Sequence, residues 1–140
     1  MEIKRRNFLN RLGTGVFAAS AAIPFIAAKP DLSAGPIQKD EIMHMVIFDL
    51  IHEKGQEQAG KFLKDGQRIL SKIPGVQNFQ VLDQVSLKND YTYGFSMLFA
   101  GQEAYEAYTK HPDHVDFVER RWKVEVKRFL EIDFTKHSFI

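Results

Sequence analysis

Residues 91–100, Tyr91-Thr92-Tyr93-Gly94-Phe95-Ser96-Met97-Leu98-Phe99-Ala100, alternate in side-chain size along their whole length. A strand sends successive side chains to opposite faces. Tyr91, Tyr93, Phe95, Met97 and Phe99 therefore share one face, and Thr92, Gly94, Ser96, Leu98 and Ala100 share the other. A face that bulky must be covered, and the pattern predicts that a second copy of the same sheet covers it. Upstream, Lys88-Asn89-Asp90 reads as a hairpin turn. It joins this strand to an earlier one over 76–87, in which Phe79, Val81, Asp83 and Val85 alternate with Gln80, Leu82 and Gln84. Pro74-Gly75 closes the element before that. There Ala59, Phe62, Leu63, Gly66, Ile69, Leu70 and Ile73 recur at spacings of three and four, the stripe of an amphipathic helix. Gly66 on the inner face of that helix implies that something packs close to it.

Further upstream, residues 43–52 carry so little polar surface that they read as a strand covered on both faces. His44, Val46, Phe48 and Leu50 lie on one face, and Met43, Met45, Ile47, Asp49 and Ile51 on the other. Downstream, Gly101 stops the third strand and residues 102–110 form a short helix. Pro112 opens another helix that carries Val115, Val118 and Trp122 on one side, and a last strand runs over 126–135. Strand, helix, strand, strand, helix, strand is the ferredoxin-like βαββαβ order of the α+β class. It predicts a four-stranded antiparallel sheet with helices on one face and an obligate dimer with sheets packed face to face.

The chain has 140 residues, 44% hydrophobic and 12% aromatic, which suits one domain over 38–140 with an appendage over 1–37. Nineteen basic against eighteen acidic side chains leave a net charge of +1, which argues against a nucleic-acid partner. There is no cysteine, so disulfides, thiolate metal sites and a cysteine nucleophile are excluded. At the N-terminus, Arg5-Arg6-Asn7-Phe8-Leu9 precedes an uncharged run over 13–28, as in a twin-arginine export signal. Ile26-Ala27-Ala28 and Leu32-Ser33-Ala34 each put a large residue at the first small position of a cleavage site, so an uncleaved membrane anchor stays open beside cleavage. The expected location is the periplasm or the outer side of the inner membrane. Residues 29–39 read as a flexible tether.

Chemistry concentrates in residues 105–117, Tyr-Glu-Ala-Tyr-Thr-Lys-His-Pro-Asp-His-Val-Asp-Phe. Tyr105 and Tyr108 share a helical face, Pro112 forces a break, and His114 falls in the first turn of the next helix. Burial there, at the positive end of a helix dipole, favours a neutral His114 able to accept a proton. His44, His111 and His114 are the metal-ligand candidates; no carboxylate motif completes that set and no metal is assigned. No cofactor-binding signature is present, and His52 and His137 are read as exposed.

Several short strings together resemble the stress-responsive dimeric α/β-barrel family: His44 at the first strand, Ile73-Pro74-Gly75-Val76, Asp90-Tyr91-Thr92-Tyr93-Gly94, Tyr108-x-x-His111-Pro112-x-His114 with Phe117, and Ile132-Asp133-Phe134. The resemblance implies a ferredoxin-like fold and a dimer whose sheets form a barrel. It covers plant stress proteins of undefined activity and polyketide cyclases that resemble olivetolic acid cyclase. Carried over from those cyclases, it gives His114 as base, Tyr108 as the group that orients His114 or donates to a carbonyl oxygen, and His44 as the substrate holder, acting without a cofactor. A further pocket tyrosine of the cyclases is replaced by Gly66, and a smaller third-strand residue by Phe95.

Two functional classes remain open at this point. One is a barrel that binds a small aromatic or enolisable molecule without turnover, its histidines serving as core and cap residues. The other is a cofactor-independent enzyme of cyclase or monooxygenase type. A pocket empty of charge apart from His44, Tyr108 and His114 favours the enzyme; a cavity filled by Tyr93, Phe95 and Trp122 favours the binder.

Overall fold

A computed structural model describes residues 35–140. The export signal, its cleavage point and most of the tether lie outside the described residues. Strand β1 (Ile42–Leu50), helix α1 (Glu57–Leu70), strands β2 (Gln77–Asp83) and β3 (Tyr93–Phe99), helices α2 (Gln102–Lys110) and α3 (Pro112–Phe117) and strand β4 (Val126–Thr135) follow in the expected order. The four strands form one antiparallel sheet in the order β2-β3-β1-β4, the ferredoxin-like arrangement. β1 lies inside the sheet and β4 is an edge, so every odd-even choice along β4 is set by its register on β1.

That register places His44 opposite Met97 on one side and Asp133 on the other, with Val46 opposite Phe95 and Glu131. The helices cover this face. Phe48, Phe62, Phe95, Phe99 and Phe117 are sealed in the core between sheet and helices, with Phe48 against Phe95 and Trp122 at ring-centroid distances of 4.9 Å each. The bulky side of β3 is therefore the chain's own core, not the dimer core that its alternation alone suggests. The helices supply the cover. The face left open is the other one, where Met43, Met45 and Ile47 register with Leu98, Ser96 and Gly94 and with Phe134, Ile132 and Leu130. Leu130 and Phe134 are 47% and 48% exposed on it.

Other details differ from the sequence expectation for local reasons. β2 stops at Asp83, and a loop over 84–92 replaces the tight hairpin. The Gln84 side-chain amide draws that loop together by reaching the carbonyl oxygens of Ser86, Asn89 and Tyr91 at 3.0, 3.2 and 3.0 Å. Tyr91 leaves the strand, and the Arg128 guanidinium stacks over its ring at 4.7 Å. After α3 the chain widens into a π-helical turn over Val118–Trp122 before a last helical turn, Lys123–Glu125. Val118 and Trp122, at the two ends of the wide turn, face inward, while Val115, expected on the same side, is 47% exposed. His52 is not free at the surface: its Nε2 lies 2.9 Å from Glu125.

Gly66 is buried on α1, and a Cβ built on it would stand 2.7 Å from Phe95 Cζ and 3.4 Å from Phe117 Cζ. The two departures from the cyclase pattern are thus one feature, because the Phe95 ring fills the space a side chain at position 66 would need. Phe95 has little room to yield, with Phe62 stacked at 6.3 Å and Phe79 at 5.3 Å. Gly66→Ala gains about 1 kcal/mol of helix propensity and loses about 1–3 kcal/mol to overpacking. Net destabilisation is expected in urea titrations. In a double-mutant cycle, Phe95→Leu should recover part of it, with a coupling of at least about 1 kcal/mol; additive effects would show that the two positions do not share this space.

Candidate functional site

Pro112 breaks the path from α2 to α3 and leaves the last carbonyl groups of α2 without helical partners. His111 at the break caps α3, its Nδ1 accepting from the Asp113 N–H at 3.2 Å. His114, one turn later, donates its Nδ1–H to the freed Thr109 carbonyl oxygen at 3.1 Å. A carbonyl can only accept, so the proton sits on Nδ1 and the lone pair on Nε2. Burial lowers the His114 pKa below its ordinary 6.5, outweighing the Thr109 hydrogen bond that favours the charged form. The shift runs toward the neutral form expected from the sequence, and a backbone carbonyl rather than Tyr108 sets the tautomer. Tyr108 packs its ring against His114 at 4.4 Å instead.

His44 enters the same space from β1. Its Nδ1 lies 2.7 Å from Asp133 Oδ1, the carboxylate directly across the sheet. Tyr105, one turn before Tyr108 on α2, places its hydroxyl 3.1 Å from both Glu131 Oε1 and Asp133 Oδ2, and 3.3 Å from His44 Nδ1. Desolvation, and then the two carboxylates, push the Tyr105 pKa well above its ordinary value, so this hydroxyl keeps its proton. Sequence reasoning missed Asp133 and Glu131 as site residues. Their spacing of two on a strand was legible, but their pairing with His44 depends on the β1–β4 register.

Among the described residues, neither Nε2 nor the Tyr108 hydroxyl has a hydrogen-bond partner, yet no buried side-chain nitrogen or oxygen is both unpartnered and sealed from solvent. Those three atoms therefore open onto free volume. It is a cavity of about 330 Å³ that His44, Tyr108 and His114 line together with Met97, Trp122 and Phe129. Lys123 and Glu131 reach its lining as well, and burial of the Tyr108 hydroxyl pushes its pKa up, keeping it a donor. Trp122 lines one wall without filling the cavity; Tyr93 and Phe95 belong to the core beyond it. His111 does not line the cavity, so the three histidines do not converge on a metal. The donor atoms that cluster, those of His44, Glu131 and Asp133, lie within 4.8 Å of one another and are already joined through the Tyr105 hydroxyl.

A family model for the stress-responsive A/B barrel domain matches residues 42–136. The chain belongs to that family. Its A/B barrel domain is similar to a protein of the same family from Mesorhizobium loti with a ferredoxin-like fold: 49% identity, TM-score 0.69, covering 70% of this chain and 98% of that one. It is also 30% identical over 78 residues to a stress-response A/B barrel domain-containing protein of Arabidopsis thaliana, covering 53% of this chain and 68% of the relative. A dimeric ferredoxin-like protein of unknown function from Thermobifida fusca shares the fold at 18% identity and TM-score 0.59, covering 72% of this chain and 95% of that one.

The half-buried His114 should make the A/B barrel domain sensitive to acid in a definite direction. Its pKa is lower folded than unfolded, so the unfolded chain binds the proton first. The stability carried by neutral His114 is present above about pH 6.5 and is lost as pH falls through the folded value. Denaturation midpoints should drop on acidification by more in the native sequence than in His114→Asn; parallel pH profiles would mean that His114 carries none of the acid limb.

Proposed function

We propose that this A/B barrel domain binds a small, largely apolar molecule with an enolisable carbonyl and removes a proton from it without a cofactor. The observation that carries this reading is the unpartnered Nε2 of a neutral His114, facing an apolar cavity beside the unpartnered Tyr108 hydroxyl. A C–H next to a carbonyl loses its proton to Nε2 while the electron pair moves to the carbonyl oxygen, where Tyr108 donates a hydrogen bond. His44 holds the substrate from the opposite wall. Tyr93 and Phe95 leave the cavity open, but Lys123 and Glu131 reach its lining, so it is not empty of charge, and the reading rests on the imidazoles and the Tyr108 hydroxyl that line it.

The test is exchange of the α-protons of 2-tetralone in heavy water, followed by proton NMR. Exchange above the buffer rate that saturates with ketone supports the reading. Neither exchange nor saturable binding would sink it.

Assembly and location belong to the same proposal. The open sheet face, apolar along β1 and β4, fits a homodimer with sheets face to face, an arrangement consistent with the dimeric neighbour of the same fold. The Arg5-Arg6-Asn7-Phe8-Leu9 string supports export to the periplasm, with the membrane touched only through an uncleaved anchor. An intact-mass measurement on protein isolated from the periplasm reads the N-terminus and the anchor together, and its absence from that fraction would count against export.

A further inference from the structure

The two imidazoles differ in what stands behind them. His114 is backed by a neutral carbonyl; His44 is backed by Asp133 at 2.7 Å, with Glu131 tied to the same Tyr105 hydroxyl. That hydroxyl has one proton for two carboxylates, so it cannot also supply the short His44–Asp133 contact, and the proton between these two belongs to His44 Nδ1. In the neutral ring with its proton on Nδ1, His44 Nε2 is a second lone pair on the side of the cavity that His44 lines. The groups facing His44 are Asp133 and Glu131 from β4, Tyr105 and Tyr108 from α2, and His114 from α3.

Building on the proposed proton abstraction, we propose that the ligand carries an acidic hydroxyl, phenolic or enolic, as well as its carbonyl, and that His44 Nε2 receives that hydroxyl, with Asp133 and Tyr105 as positioning residues. Besides Lys123 and Glu131, which reach the lining, the cavity offers two acceptor nitrogens and one hydroxyl, and the complement of these three groups is a molecule with two acidic hydrogens and one acceptor oxygen. The transfer balances within the pair. The ligand O–H bond breaks, its proton forms an N–H bond at Nε2, and the electron pair stays on the ligand oxygen. The resulting imidazolium donates its Nδ1–H to the Asp133 carboxylate. A ligand whose hydroxyl is methylated would leave the buried acceptor unpaired, and such a mismatch discriminates strongly.

Two measurements test this. In the free protein, long-range proton–nitrogen-15 NMR of the imidazole rings should show neutral His44 with its proton on Nδ1, and Asp133→Asn should erode that preference. An Nε2-bound proton in the native sequence overturns the proposal whatever any ligand does. The second uses 4-nitrophenol and its methyl ether, 4-nitroanisole, titrated at a pH where the free phenol is un-ionised. The phenol should bind about tenfold or more tightly than the ether, with the phenolate absorbance appearing on binding, and the ratio should collapse in Asp133→Asn but persist in His114→Gln. Equal affinities, or a ratio untouched by Asp133→Asn, overturn the proposal and leave the pocket reading standing. Failure of both probes to bind overturns the two together.

Discussion

His114→Gln is expected to slow 2-tetralone exchange by about 10²- to 10⁴-fold, the range over which a positioned general base acts. Glutamine keeps an N–H that can reach the Thr109 carbonyl but offers no basic nitrogen, so packing against Tyr108 is preserved while proton acceptance is lost. The loss should fall on the turnover rate more than on ketone affinity, because a base acts in the transition state. Circular dichroism and thermal unfolding should match the native protein at neutral pH. A variant that unfolds would make His114 a structural residue that satisfies the end of α2, and one that is folded and fully active would move the base elsewhere in the cavity.

Met45→Asp is expected to convert the proposed dimer to a monomer. Met45 lies on the interior strand β1, on the open face, paired with Ser96 and Ile132. In a lone chain the new carboxylate is hydrated at little cost. Between two packed sheets it is buried without a partner in each copy, at a cost on the order of several kcal/mol per charge. Association should weaken by about a thousandfold or more, read as a halved mass by light scattering at micromolar concentration. Val124→Asp, at a position 62% exposed and remote from that face, should leave the mass unchanged. A Met45→Asp protein that stays dimeric would place the interface elsewhere, and a native protein that is already monomeric would end the face-to-face arrangement.

How much of this was legible in the sequence depended on whether a pattern was local. The alternation of β1 correctly put His44 with Val46, Phe48 and Leu50, because period two is a property of a single strand. The alternation of β3 was read correctly too, but what covers each side is a tertiary fact: Phe95 and Phe99 meet the chain's own helices. The His-Pro break announced where His114 would sit. It did not announce the Thr109 carbonyl, which became available because Pro112 ended the helix before that group found a partner. Asp133 was quoted as part of a family string and given no role, since only pairing across 89 residues of sequence brings it to His44. The π-helical turn left no trace in the spacing; Val115, placed with Val118 and Trp122 on the apolar side, faces outward, and Phe117 is the buried residue of α3. Gly66 signalled a close approach, and the approaching group proved to be Phe95, the other position at which the chain departs from the cyclase pattern.

Strand β4 sends Glu131 and Asp133 toward His44 and sends Leu130, Ile132 and Phe134 to the opposite side of the sheet. Ten consecutive residues thus serve two tasks by turns, on a strand whose backbone pairs in the sheet with β1 alone. An insertion or deletion of one residue within Val126–Thr135 would exchange the two sets at a stroke, setting carboxylates among apolar side chains and apolar side chains beside the histidine. Mutational scans of this strand therefore confound two phenotypes: inactivity after a change at Ile132 is no evidence for a site shared between subunits. Only a variant that remains dimeric and inactive, or monomeric and active, separates assembly from chemistry here.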